Sequence, residues 1–180
     1  MTCIAAVTDG STVWMGGDSA GSSSWDIVTR KDPKVFRNGE MLIGFTTSFR
    51  MGQLLAHRFT PPTLREGQDV YAFMVTDFVD AVRQCLKDGG FAKKDGDREE
   101  GGTFLVGFRG RLFEVSDDYQ VGEAADTYAA VGCGHAYAKG SLFATEARNP
   151  ADRIRSALAA AERHSNGVRG PFTILSSVTV

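Results

Sequence analysis

The chain has 180 residues, 42% of them hydrophobic and 23% charged, with 20 basic against 22 acidic side chains and a net charge of −2. Such ordinary globular values exclude a disordered or fibrous chain, and the near-neutral balance excludes a protein whose main task is to hold nucleic-acid phosphates. At ~150 residues per domain the length predicts one domain over 1–180, and no apolar run approaches the ~20 residues of a membrane helix.

The start, Met1-Thr2-Cys3-Ile4-Ala5-Ala6-Val7-Thr8-Asp9, has neither the basic opening nor the apolar length of a signal peptide. Thr2 to Thr8 instead predicts a strand, Asp9-Gly10 a hairpin turn, and Thr12 to Ser19 the returning strand, with Val13, Trp14 and Met15 facing inward. A small-residue loop, Gly21-Ser22-Ser23-Ser24, leads to a segment over Trp25–Arg30. Strands near Lys34–Arg37 and Met41–Thr46, joined at Asn38-Gly39, complete an expected β-meander. Ser48 caps a predicted helix that runs to Phe59 and is stopped by Pro61-Pro62. Gln68 to Lys87 has apolar residues at Val70, Met74, Phe78, Val82 and Cys85, widened by Tyr71, Val75 and Val79, so this helix is expected to be covered on most sides. The charged stretch Lys93–Glu100 is expected to be a solvated loop.

The final third repeats this order. Thr103–Phe108 and Arg111–Ser116 flank Arg109-Gly110 as a hairpin, and Thr127–Val131 is a further strand. A Gly132-Cys133-Gly134 turn then opens a helix to Ala147, whose Ala136, Gly140, Phe143, Ala144 and Ala147 are expected to allow close helix packing. Asn149-Pro150-Ala151-Asp152 is a strong helix start, with Ile154, Leu158 and Ala161 on the inner face. Gly167–Pro171 ends that helix, and Phe172–Thr179 is a closing strand. Helix pairs between blocks of antiparallel strands predict an α+β fold with two sheets between two helical layers.

Three residues can be read together as chemistry. Removal of Met1 would leave a chain beginning with Thr2, whose hydroxyl then has its own base in the α-amine, with an unperturbed pKa of roughly 7.7–8.0. A nearby cation would lower that pKa further, and a carboxylate would hold the cation in place. Asp18, in Gly16-Gly17-Asp18, lies 16 residues beyond Thr2, and Lys34 lies 32 beyond it. Taken singly, Thr2 is only a second residue, Asp18 a strand-end cap, and Lys34 one of the basic cluster Arg30, Lys31, Lys34, Arg37. It is their joint spacing, in this strand order, that points to a site. Cys3 is a competing nucleophile, but strand alternation turns it to the opposite face.

Thr2, Gly16-Gly17-Asp18, Lys34 before an apolar strand, Gly44-Phe45 and the Gly132-Cys133-Gly134 turn together resemble proteasome β-subunits, and still more their bacterial relative, the HslV peptidase. The resemblance runs from Thr2 to about Thr179. It implies an αββα sandwich of N-terminal-nucleophile type, with Thr2 as nucleophile, its amine as general base, Lys34 as the cation and Asp18 as its partner. It further implies that Thr46-Thr47-Ser48 supply a backbone N–H for the oxyanion and an edge for an extended peptide, with Ser22 on the facing edge. Where the family has a serine before its third helix this chain has Cys133, a weaker relay for protons. The family's Asp…Ser-Gly pattern reads here as His164-Ser165-Asn166-Gly167, and Thr46-Thr47-Ser48 replaces Ala and Gly, which implies a narrower groove.

The function implied is threonine-dependent hydrolysis of unfolded polypeptides inside stacked rings in the cytoplasm, fed in HslV-like systems by an ATPase ring. Two other readings stand beside it: a silent proteasome-like assembly protein, and an amidohydrolase acting on a small amide or lactam. No cofactor is called for. His57 and His135 lack partners at metal-ligand spacing, three cysteines without a CxxC pair point to a reducing compartment, and Cys85 with the Met and Phe residues of the long helix reads as packing.

Overall fold

The computed structural model describes residues 1–23, 25–96 and 98–178. Its strands are β1 (Ile4–Thr8), β2 (Val13–Gly17), β3 (Ala20–Ser22), β4 (Ile27–Thr29), β5 (Val35–Asn38), β6 (Met41–Phe45), β7 (Lys93–Asp95), β8 (Arg98–Glu100), β9 (Phe104–Phe108), β10 (Arg111–Val115), β11 (Val121–Glu123), β12 (Tyr128–Val131) and β13 (Thr173–Ser176). Its helices are α1 (Phe49–His57), α2 (Val70–Phe73), α3 (Val79–Asp88), α4 (His135–Ala144) and α5 (Pro150–His164), with a π-helical segment (Met74–Phe78) joining α2 to α3.

Two antiparallel sheets form the centre. One has the order β12-β1-β2-β13 and the other β11-β10-β9-β6-β5. Strand alternation sorts their side chains into three apolar layers. Ile4, Ala6, Val13, Met15, Leu42, Leu105 and Leu112 meet between the sheets. Cys3, Ala5 and Val7 point the other way, against Ala138, Leu142, Ile154, Leu158 and Ala161 of α4 and α5. Met41, Ile43 and Phe45 likewise face α1 and the long helix, among Leu54, Phe73, Phe78, Val82 and Leu86. The result is the αββα sandwich that the element order predicts.

Local signals act where they were read. Ser48 caps α1 by accepting from Arg50 N–H, and Asn149 caps α5 with Pro150 in its first turn. Asn38, at the β5–β6 turn, donates from its amide to the carbonyls of Leu55 and Phe59 at 2.9 and 2.8 Å, closing the end of α1.

Several expectations are corrected. The first third is not one meander but three hairpins in three sheets: β1–β2, β3–β4 and β5–β6. Trp14 is only partly buried, beside the α4–α5 layer. Lys93–Glu100 is a hairpin, β7–β8, rather than a loop, and the short edge strand β11 was not foreseen. The long helix is open on one side, with Tyr71 43% exposed; the five-residue step from Phe73 to Phe78 through the π-segment keeps both on the sheet. In α4 the buried residues are Ala138 and Leu142, while Ala136, Gly140, Ala144 and Phe143 face solvent. Ser24 and Thr179 lie outside the described residues. Among those described, no helix is long and apolar enough to cross a membrane.

Candidate active site

Thr2 precedes β1, Asp18 follows β2, and Lys34 precedes β5. Because β1 and β2 are a hairpin and β5 belongs to the sheet stacked on them, these three ends meet at one mouth of the sandwich. Lys34 Nζ donates to Thr2 Oγ1 and to Asp18 Oδ1, both at 2.9 Å. All three residues are buried, Lys34 being 1% exposed.

The carboxylate is fixed by the backbone. Asp18 Oδ1 also accepts from Cys3 N–H at 3.0 Å, and Oδ2 accepts from Ala20 N–H at 2.9 Å and Arg169 N–H at 3.3 Å. Lys34 spends its third proton on the Met1 carbonyl at 3.4 Å. Burial lowers the pKa of Lys34 below its ordinary value, and the Asp18 carboxylate opposes that shift. A partly desolvated ammonium against a hydroxyl oxygen favours the alkoxide form of that hydroxyl. In the chain with Met1 in place, Thr2 Oγ1 donates to the Met1 carbonyl at 2.5 Å.

A second group closes on the Thr2 backbone. Thr2 N–H points at Cys133 Sγ at 3.3 Å, and the thiol lies 3.4 Å from Thr2 O and 3.3 Å from Ser165 Oγ. Gly132 makes this approach feasible: at φ 94 a Cβ there would lie 2.3 Å from Thr2 O. Cys133 is thus at hand for a proton passing to or from the Thr2 nitrogen. Ser165, at the end of α5 and part of the His164-Ser165-Asn166-Gly167 pattern, joins it. Cys3 faces away, fully buried, its thiol pushed up to about 12 by desolvation, with Asp18 adding to the shift. His164 stacks on Tyr137 with ring centroids 5.4 Å apart and takes no part here. Among the described residues no group of three His, Cys, Asp or Glu could hold a metal ion.

Beside Thr2 opens a cleft of about 290 Å³, lined on one side by Ser22, Asp26 and Val28 and on the other by Thr46, Thr47, Ser48 and Phe49. All four residues expected to border substrate therefore line one cleft. Ser22 Oγ is buried and unpartnered among the described residues. Arg30, not anticipated, bridges the two walls: its guanidinium pairs with Asp32 at 2.8 and 2.7 Å and lies 3.9 Å over the Phe49 ring. In the Thr46–Ser48 turn, Thr46 N–H donates to the Thr103 carbonyl at 3.0 Å and Ser48 N–H to the Thr46 carbonyl at 2.6 Å.

The geometry can be set against known structures. Over 97% of its length the chain superposes on 97% of BPH from Thiobacillus denitrificans, solved in complex with epoxomicin, at 19% identity and a TM-score of 0.80. HslV from Trypanosoma brucei matches at 16% identity and a TM-score of 0.67, covering 97% of this chain and 98% of that one. The chain has the fold of HslV and its proteasome-like relatives. Anbu from Hyphomicrobium, at 21% identity and a TM-score of 0.66, shares it over 97% of this chain and 80% of its own. No family model and no curated protein match the sequence. Within this proteasome-like fold, the threonine, aspartate and lysine picked out by spacing lie in mutual contact at one end of the sandwich.

Proposed function

We propose that the protein is an N-terminal threonine peptidase that hydrolyses peptide bonds of unfolded polypeptides in the cytoplasm. One observation carries this reading: a buried lysine ammonium lies 2.9 Å from both the Thr2 hydroxyl and the Asp18 carboxylate. The BPH neighbour binding epoxomicin supports it by fold. The open cleft beside Thr2 suits an extended chain better than an enclosed small amide, which disfavours the amidohydrolase reading. Three unpaired cysteines suit a reducing compartment.

Once Met1 is removed, Thr2 Oγ attacks the scissile carbonyl and its proton passes to the free α-amine. The tetrahedral oxyanion collapses, the departing amine of the substrate takes that proton, and an ester to Thr2 remains. Water, deprotonated by the same α-amine, then attacks the ester and releases the acid with Thr2 restored. Lys34 keeps the α-amine unprotonated and stabilises the developing alkoxide, Asp18 orients Lys34, and Cys133 lies where it can pass a proton to the nitrogen. Self-association into stacked rings, with or without an ATPase feeding them, would confine this chemistry to unfolded chains.

The competing reading is a silent assembly protein. It is favoured by the departures from the family pattern at Cys133, which faces the Thr2 nitrogen in place of a serine, and at His164 and Asn166. Intact mass before and after treatment with an epoxyketone such as epoxomicin separates the two. Loss of Met1 followed by one adduct per chain is expected. Retained Met1 with no adduct, in a protein that still assembles, would establish the silent scaffold instead.

A further inference from the structure

The cleft beside Thr2 carries an uneven charge, and what that charge selects rests on the threonine-peptidase reading of the site. Among the described residues that line it, two have charged side chains, Arg30 and Asp26. Arg30 is already committed. Its stem lies against Gly21, where a Cβ would lie 2.8 Å from Arg30 Cδ, and its guanidinium lies 3.9 Å over the Phe49 ring. Nε and Nη2 both donate to the Asp32 carboxylate, at 2.8 and 2.7 Å, so its charge is matched where it stands. Lys34, behind the nucleophile, is matched in the same way by Asp18 at 2.9 Å. Asp26 has no such partner. Its carbonyl accepts from Ser23 N–H at 3.0 Å, which closes the tip of the β3–β4 hairpin. The residue is exposed, and its carboxylate makes no hydrogen bond or ion pair among the described residues.

The rest of the lining sorts by polarity. Ser22 pairs with Ile27 across β3–β4, which sets Asp26 at the same end of the hairpin as the buried Ser22 hydroxyl, itself without a partner among the described residues. Val28, 59% exposed, and Phe49 add apolar surface to the two sides of the cleft. Lysine and arginine are the side chains that lay an apolar stem on such a surface while keeping a cationic head in water. A glutamate would bring a second carboxylate toward Asp26, with no unmatched cation among the described lining residues to receive it. The α-amine of Thr2 adds none while Lys34 keeps it unprotonated. We propose that Asp26 is a specificity-determining residue, which makes the cleft select polypeptide segments that carry lysine or arginine next to the cleaved bond. Asp26 receives the cationic head, and Val28 and Phe49 receive the stem.

The test uses pairs of fluorogenic peptides that differ only in carrying lysine or glutamate at the first or second residue before the cleaved bond. One exposed ion pair shifts an equilibrium by up to about fivefold, and repulsion of a like charge by a similar factor. The expected result is a kcat/KM ratio of roughly three- to twentyfold in favour of lysine at one of these positions. That ratio should shrink toward unity at about 1 M salt, where charges act over only about 3 Å. Asp26→Asn is expected to bring the ratio close to one, and Asp26→Lys to reverse it. Because each ratio is taken within one protein, a variant that folds in lower yield gives the same reading. No preference in the parent, a preference for glutamate, or a lysine preference that survives in Asp26→Asn overturns the assignment. If the parent cleaves no peptide and takes no epoxyketone, the peptidase reading fails separately. The same peptide sequences, fluorescently labelled, are then titrated by anisotropy at low salt. Tighter binding of the lysine peptide that is lost in Asp26→Asn keeps the selection by Asp26, and equal or absent binding removes it.

Discussion

Thr2 and Cys3 are neighbours in sequence and occupy opposite worlds. The threonine faces the mouth between the sheets, where a lysine ammonium touches its hydroxyl. The cysteine faces the α4–α5 layer, packed among Ala138, Leu142, Ile154 and Ala161. A thiol is intrinsically the better nucleophile. Here burial pushes its pKa up to about 12, so at neutral pH it carries no thiolate and offers no path to a substrate. Strand alternation, one residue in register, decides which side chain meets the lysine and which packs against the helices.

The largest test of this contrast is Thr2→Ala. Peptide hydrolysis is expected to fall to the uncatalysed level while the melting temperature and assembly stay with the parent. Hydrolysis comparable to the parent's would show that the chemistry lies elsewhere. Next comes Lys34→Met, which leaves Asp18 buried without its cation. Breaking a buried ion pair from one side costs about 3–5 kcal/mol, so a large drop in stability by urea titration should accompany loss of activity. A urea midpoint in Lys34→Met equal to the parent's would show that the ion pair with Asp18 does not hold this end of the sandwich together.

The smallest expected effect belongs to Cys3 and appears only in alkali. Its pKa is raised from the ordinary 9.0 to about 12, so between those values the folded chain keeps a proton that the unfolded chain has released. The contribution is full below pH 9 and is lost as pH rises toward 12, at about 1.4 kcal/mol per pH unit. Urea titrations at pH 8.5 and pH 10.5 should show a steeper decline for the parent than for Cys3→Ala. Parallel declines would mean that the thiol ionises freely in the folded protein.

Much of this contrast was legible in the sequence. Asp9-Gly10 and Asn38-Gly39 fix two hairpins, and once those are in place the ends bearing Thr2, Asp18 and Lys34 have few ways to lie apart. Capping signals at Ser48 and Asn149 placed helix starts for the same local reason. What stayed hidden depends on distance through space. The apolar face of α4 is set by which residues meet α5, and its small residues misled because they turn outward. β11 and β7–β8 are three-residue strands held by backbone pairing, which leaves no periodicity to read. Ser165 matters only because α5 ends beside the Gly132 turn.

Asn38 has a mechanical consequence. Its amide ties the far end of α1 to the tip of the β5–β6 hairpin. Lys34 stands just before that hairpin and Ser48 just before that helix, so the two elements work like the arms of a caliper riveted at the tip. The jaws hold the Lys34 ammonium on one side and the Thr46–Ser48 turn on the other. The spacing between the lysine and that turn is therefore gauged from the opposite end of the sandwich, by a turn residue that touches neither of them.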